Sequence, residues 1–479
     1  MNDSVPTPPS TGSGRMLVLL GAIIVQLILG TVYGYSIFWT PLQAEIDLDA
    51  SYIKYAFSIC ILSFAVTMVI AGRVQDVKGP RFPAVVGAIL MGGGFLVAGL
   101  MDHPIVFTLA HAAFTGAVAI VLLMLFYALF GKVDTDQMPA LKYAPLGIIA
   151  AVITAGVTLG NQYVGQNGEW DKLFLVWGTV GFLAGAGIGF AYVCPIAALV
   201  KWFPDHKGLV SGIAVAGFGF GAYLFKGQLG ARGFIAEYGI NNFFVVHGLV
   251  CLVGVSIGAL MLRNPATVKQ AKVVSADSNW QDTLKSPSFY VLWLMYFSGA
   301  RAGLMVIGIV APFFKAQAAK GGLTLEQAGE IGATAMGLLA IFNAIGRIAW
   351  GLLSDRIGRT AAFVASFVLQ AGVLFVLGGL EGKLVIYAAA SLIGFNYGGI
   401  FALFPSATAD LFGAKNLGAN YGWLFTSYGI AGVVGIAAGN FAYAKTESYT
   451  AAFVFAAVLC LVSAALAVGL GLARKRSVA

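Results

Sequence analysis

About fourteen long apolar stretches, a charged-residue content of only 10% and a loop motif found once in each half predict an all-α integral membrane protein of two repeated halves. A soluble domain carries about 25% charged residues, whereas 59% of these 479 residues are hydrophobic and the mean hydropathy is +0.88. The 63 glycines fit the same class, because small side chains let membrane helices approach closely. The formal net charge of +8 reads as Lys and Arg held in cytoplasmic loops, not as a nucleic-acid footprint. Cys60, Cys194, Cys251 and Cys460 stand singly in apolar runs, and the histidines form no metal-ligand pattern. No cofactor or metal is expected, and no nucleophile–base pairing points to an enzyme.

Residues 1–15 are polar and rich in Pro, Ser and Gly, and read as a disordered cytoplasmic N-terminus without a cleaved signal. The first half, 16–263, holds spans at roughly 16–38, 52–72, 82–101, 106–130, 143–160, 173–199, 208–228 and 242–262. The polar stretch 264–286 reads as a cytoplasmic linker. The second half, 287–473, holds spans at roughly 288–314, 327–352, 361–380, 383–410, 418–440 and 450–472. Residues 474–479 form a short cytoplasmic tail. Basic residues recur in alternate loops (Lys78, Arg81, Lys201, Lys207, Arg263, Arg356, Arg359, Arg474), which places both termini inside.

The repeat shows in the loops. Gly72-Arg73-Val74-Gln75-Asp76-Val77-Lys78-Gly79 and Gly351-Leu352-Leu353-Ser354-Asp355-Arg356-Ile357-Gly358 share the pattern G-x-x-x-D-x-x-G at equivalent places. Trp202-Phe203-Pro204-Asp205-His206-Lys207-Gly208 is echoed by Leu411-Phe412-Gly413-Ala414-Lys415, each before a Gly-rich helix. In the first of those helices, Gly217-Phe218-Gly219-Phe220-Gly221 has no strand before it and no Lys-Ser/Thr after it, so it reads as helix packing and not as a nucleotide loop.

Two cations are out of place. Arg347 and Arg301 lie deep in apolar spans, where a charge costs about 2.5–3.5 kcal/mol. With no intramembrane Asp or Glu to neutralise them, the missing partner reads as a ligand, a small anion crossing the membrane. Arg347 sits about 12 Å above the cytoplasmic end of its helix, and the alternative for it is pairing with helix carbonyls. Arg301 sits about 20 Å into its own. It either lines a cavity or bonds to backbone at a helix break near Gly299 and Gly303. A guanidinium grips a carboxylate bidentately and keeps its proton.

These residues resemble the major facilitator superfamily, whose halves carry this loop motif. The first copy departs from the family pattern at Val77, where a basic residue is usual, and at Pro80. A finer resemblance is to the oxalate:formate antiporter family, near the monocarboxylate transporters. It rests on Gly30-Thr31-Val32-Tyr33, Pro41, Trp202-Phe203-Pro204-Asp205, Gly303-Leu304-Met305-Val306 and Ala402-Leu403-Phe404-Pro405-Ser406. It covers almost the whole chain except about 102–170, which reads as an inserted two-helix hairpin. It implies two pseudo-symmetric six-helix bundles with a mid-membrane site between them, in a monomer of the cytoplasmic (inner) membrane.

The resemblance also implies roles. Arg347 falls on the arginine that grips the substrate carboxylate. Tyr33, Tyr192 and Tyr397 match aromatic positions around substrate, and Phe401 replaces a tyrosine. The plainer alternative is ordinary membrane aromatics, in a chain with 18 Tyr and 35 Phe. Tyr428 stands where oxalate carriers have a second cation, a lysine, which favours a monocarboxylate. Asn343, four residues before Arg347 and hence on the same face, matches an Asp that binds the proton in animal monocarboxylate carriers. Asn cannot titrate, so exchange or another proton site is expected. Asp76, Asp355, Arg356 and Arg359 are implied as a latch closing the cytoplasmic side, against the alternative of loop charges that only fix topology.

The implied function is a secondary active transporter of a small carboxylate such as lactate, pyruvate or formate. Oxalate/formate exchange stays open if Arg301 faces the cavity. A membrane-embedded carboxylate sensor is the competing class, and the chain has no long soluble stretch to serve as its output. Expected partners are the carboxylate, a proton or counter-anion, and the bilayer.

Overall fold

The computed structural model describes residues 11–103, 145–152, 154, 168–226, 231–265, 277–320, 324–380, 382–446 and 448–478. Among them the chain is all-helical. Helix α1 (Thr11–Leu29) runs without a break into a 3-10 helix (Gly30–Ile37), followed by α2 (Trp39–Ile46). Asp47, with φ 57°, turns the chain into α3 (Ala50–Lys78), and α4 (Arg81–Gly99) follows. Next, α5 (Gly168–Val176), a π-helical stretch (Trp177–Leu183) and α6 (Ala184–Trp202) make one rod. Helices α7 (Lys207–Lys226) and α8 (Ala231–Met261, kinked at Gly239) complete the first half. A short α9 (Trp280–Lys285) precedes the second half. That half comprises α10 (Pro287–Lys320), α11 (Leu325–Ile357), α12 (Arg359–Leu377), α13 (Lys383–Phe412), α14 (Leu417–Thr446) and α15 (Thr450–Val478).

Among the described residues, ten helical segments are long and apolar enough to cross a membrane. With α7 and α14 beside them, the long helices form two sets of six. Their outer faces are apolar: Leu62, Val66 and Ile70 of α3 recur at helical spacing and are exposed, while Phe64 and Met68 between them are buried. That pattern suits a helix with lipid on one side and protein on the other. The expected total of fourteen spans depends on the inserted pair. Its residues 104–144 lie outside the described ones, and 145–152 are helical.

Several ends differ from expectation. Helix α1 starts at Thr11, inside the stretch expected to be disordered. Helix α15 runs through the basic tail to Val478, and α9 forms within the expected linker. Polar residues beyond an apolar stretch can continue the same helix, so apolar length underestimates helix length. Helix α11 begins where Thr324 and Gln327 make a reciprocal capping box.

The two halves pack alike. Helix α3 packs on α6 as α11 packs on α13, α4 on α8 as α12 on α15, and α1 on α7 as α10 on α14. Between halves, α3 meets α14 and α7 meets α11. The loop motif explains these seams. A Cβ on Gly72 would collide with the Gly418 carbonyl, and one on Gly351 with the Gly208 carbonyl, so the first glycine of each copy permits backbone contact across the seam. The last glycine of each copy takes positive φ, 82° at Gly79 and 87° at Gly358, and turns the chain into the next helix.

Inside the second half, Gly398 presses on the Asn343 backbone and Gly394 on that of Leu339. A Gly398→Val substitution should therefore overpack the α11–α13 contact at a cost of about 1–3 kcal/mol. A melting temperature several degrees lower in detergent is expected, measured by thermal-shift fluorescence.

Candidate functional site

Arg347 is fully buried in α11, about 15 Å by helix rise from the Ile357 end. Its Nε donates to Asn343 Oδ1 at 2.9 Å, one turn away on the same helix. Its Nη1 donates to the Val215 carbonyl of α7 at 2.6 Å, crossing from one half to the other. Gly219 makes this approach possible, because a Cβ there would stand 3.2 Å from Asn343 Oδ1 and 3.3 Å from Arg347 Nε. The guanidinium carbon lies 4.4 Å from the Phe401 ring centroid and 5.9 Å from that of Phe218. Such contacts offset part of the desolvation of a cation. Nη2 is buried with no hydrogen-bond partner.

Hydroxyls gather round it. The Tyr33 and Tyr428 oxygens are 2.6 Å apart, joining the 3-10 stretch of the first half to α14 of the second. Tyr192 and Tyr397 are buried, and neither hydroxyl has a hydrogen-bond partner. Tyr33 and Tyr192 pack on Phe218, and Tyr397 and Tyr428 on Phe401, the two rings beside the guanidinium. The structure thus brings together Arg347, Asn343, Tyr33, Tyr192, Tyr397, Phe401 and Tyr428.

Sequence reasoning missed part of the shell. Phe218, from the Gly-Phe-Gly-Phe-Gly run, packs on Tyr192 at 5.1 Å between ring centroids, and Phe425 packs on Tyr428 at 4.7 Å. Tyr421 precedes Tyr428 by two helical turns on one face, a spacing that could have revealed it. One cation facing several hydroxyls in an apolar wall is suited to hold a small anion.

Arg301 does not join them. Its guanidinium carbon lies 4.7 Å from the Phe455 ring centroid on α15, and its stem rests against Gly435 of α14. The reason is rotational: Tyr296 stacks in the central aromatics with Phe404 and Tyr421, and Arg301 is turned about 140° from it. Nor does α10 break near Gly299 and Gly303, since it is one helix from Pro287 to Lys320. Those glycines instead receive Phe367 and Tyr397 from α12 and α13.

At the motif end, two carboxylates cap helices of the opposite half. Asp76 accepts from the Gly418 N–H at 3.1 Å and the Ala419 N–H at 2.7 Å, at the start of α14. Asp355 accepts from the Gly208 N–H at 2.9 Å and the Leu209 N–H at 2.8 Å, at the start of α7. Carboxylates there satisfy orphan backbone donors and complement the helix dipole.

The surrounding cations differ between copies. Around Asp355, Arg359 pairs with Asp355 at 2.7 Å and with Asp410 at 2.8 Å, donates to Ser354, and Lys207 pairs with Asp410 at 2.7 Å. Around Asp76, Lys201 approaches to 3.6 Å, while Arg81 turns away to the Leu262 carbonyl. Lys201 and Asp410 end equivalent helices with opposite charge, and neither was expected in the latch. Arg356 was, but it is exposed and enters none of these pairs among the described residues. Its position one residue past Asp355 rotates it off the seam.

The model of the Major Facilitator Superfamily matches residues 107–436 and 305–478. The chain belongs to the major facilitator superfamily. As a superfamily member it is a multi-pass membrane transporter and not an enzyme. It is similar to the Oxalate:formate antiporter of Oxalobacter formigenes, 25% identical over 461 residues, covering 95% of this chain and 91% of that one. It is also similar to Apicoplast pyruvate carrier 1 of Toxoplasma gondii, 28% identical over 348 residues, 59% of this chain and 62% of that one. Among solved structures, the superfamily transporter FucP in the outward conformation aligns with TM-score 0.61 at 14% identity, over 95% of this chain and 99% of that one.

Asp355→Ala should release the start of α7 at a cost of about 1–2 kcal/mol, a shift of about five- to thirty-fold toward separation of the halves at this end. Faster labelling of a cysteine placed at the half-buried Leu209, with the melting temperature little changed, is the expected readout.

Proposed function

We propose that this superfamily member carries small monocarboxylates across the cytoplasmic membrane by alternating access, with Arg347 as the anchor for the carboxylate. The observation that carries this reading is that Arg347 is the one cation in the central cluster among the described residues, with a buried Nη2 left over for an acceptor. A single positive charge in an apolar chamber balances one carboxylate. A second carboxylate would enter uncompensated, and an unpaired buried ion costs several kcal/mol. Tyr428 and the outward turn of Arg301 both remove the cation that a dianion needs.

Tyr33, Tyr192, Tyr397 and Tyr428 supply hydroxyls, Asn343 orients the guanidinium, and Phe401 and Phe218 keep water away. The two ends of the site belong to different halves, so ligand binding and the contact between halves share the same atoms. Asp76 and Asp355, with Arg359, Lys201, Lys207 and Asp410, form the latch that closes the basic, cytoplasmic end while the site faces outward. Asn343 leaves Arg347 without a titratable partner on its own helix face. An empty carrier would return with its charge uncompensated, which favours anion exchange over proton symport. Fourteen spans, with both termini cytoplasmic and a hairpin inserted at about 102–170, complete this reading.

Counterflow of labelled lactate, formate and oxalate in proteoliposomes tests it. Lactate or formate is expected to exchange and oxalate to fail, and Arg347→Gln should abolish exchange while leaving the protein folded. Binding without flux would instead mean a sensor. Tyr428→Lys is expected to admit oxalate, and Asn343→Asp to make uptake depend on an inward proton gradient.

A further inference from the structure

The resemblance to carboxylate carriers rests partly on Gly303-Leu304-Met305-Val306, yet no proposed contact to substrate uses Gly303. The structure shows what stands there. A Cβ on Gly303 would fall onto the Tyr397 ring, so that ring lies against the bare backbone of α10. One turn earlier, Gly299 receives Phe367 and Ile400 in the same way.

Tyr397 cannot yield at its backbone. Gly398 and Gly394 hold α13 against the backbone of α11 at Asn343 and Leu339, and Gly346 of α11 sits against the Phe395 carbonyl. Only the side chain can move. The ring also makes an edge contact with Phe401, 5.3 Å between centroids, and Phe401 in turn covers Arg347. The Tyr397 hydroxyl is buried and has no hydrogen-bond partner. A ring displaced from α10 therefore presses on Phe401, the ring that covers the guanidinium.

From this we infer that Gly303 sets the length of carboxylate the site accepts, by letting the Tyr397 ring withdraw into α10. Gly303 is a positioning residue: it touches no substrate and acts through Tyr397. With glycine, the chamber admits three-carbon acids such as lactate and pyruvate. With a methyl group at that position, the ring advances and leaves room for formate. This inference rests on the monocarboxylate reading of the same site.

Proteoliposome exchange with formate, acetate, pyruvate and lactate tests it. Gly303→Ala is expected to keep formate exchange within about twofold and to lower lactate exchange by about tenfold or more, the discrimination that one carbon in a tight apolar pocket produces. Adding Tyr397→Leu to Gly303→Ala lowers exchange of every substrate, because a hydroxyl is lost, and is expected to return the lactate-to-formate ratio to that of the unaltered protein, which a general packing defect would not do. Equal loss of all four substrates in Gly303→Ala, or no return of that ratio in the double variant, overturns the inference while leaving the transport reading intact. Absence of exchange by the unaltered protein overturns both. Should Gly303→Ala fail to yield folded protein, the double variant decides: a folded protein with the lactate-to-formate ratio of the unaltered one supports the inference, and failure to fold or a lowered ratio overturns it.

Discussion

The buried guanidinium of Arg347 is the constraint round which the centre of the molecule is arranged. A cation in hydrocarbon is tolerated only with most of its donors satisfied and its face covered. Each neighbour supplies a part of that. Asn343 takes Nε, the Val215 carbonyl takes Nη1, and Phe401 lies over the charge. The absence of a side chain at Gly219 lets α7 come near enough to offer its carbonyl. Because that carbonyl belongs to the other half, the means of solvating the charge also ties the halves together at the centre of the molecule. Any movement that parts α7 from α11 must find the arginine another acceptor.

At the motif end the same economy recurs with opposite sign. Two carboxylates reach across the seams to the open N-termini of α7 and α14, satisfying backbone donors that a helix start leaves unpaired. The glycines beside them let backbone touch backbone, so the seams close tightly enough for those bonds to form. The two seams are nonetheless unequal. One carries a four-member network of Asp355, Arg359, Asp410 and Lys207, and the other leans on a single lysine at longer range. The departure of the first motif copy at Val77 and Pro80 accompanies this: Arg81 is directed to Leu262, and Lys201 from α6 stands near the carboxylate instead.

Much of this was legible in the sequence because hydrocarbon permits so few solutions. Apolar length gave the helices, and the twice-used motif gave the repeat. A lone arginine in an apolar run marked the centre. What stayed hidden depends on rotation. A residue turns about 100° per step round a helix axis, so Arg301 and Arg347 look equally buried on paper while one faces α15 and the other the middle. Arg356 was misread for the same reason, being one step off the seam. Lys201 and Asp410 were read as a loop charge and passed over, respectively, because their partners come from distant helices. Tyr397 was legible by resemblance, but its dependence on Gly303 was not, since a missing side chain leaves no mark except in the shape of its neighbour.

The 3-10 winding of Gly30–Ile37 gives Tyr33 an uncommon mounting. Runs of this helix longer than three or four residues are uncommon, and each residue advances about 2.0 Å against about 1.5 Å in an α-helix. Eight residues so wound are longer by about 4 Å than the same residues coiled in the looser form. That difference is comparable to the width of a carboxylate group. Rewinding this one segment as α-helix would carry Tyr33, its fourth residue, about 2 Å relative to α1 and draw α2 toward α1 by the full difference.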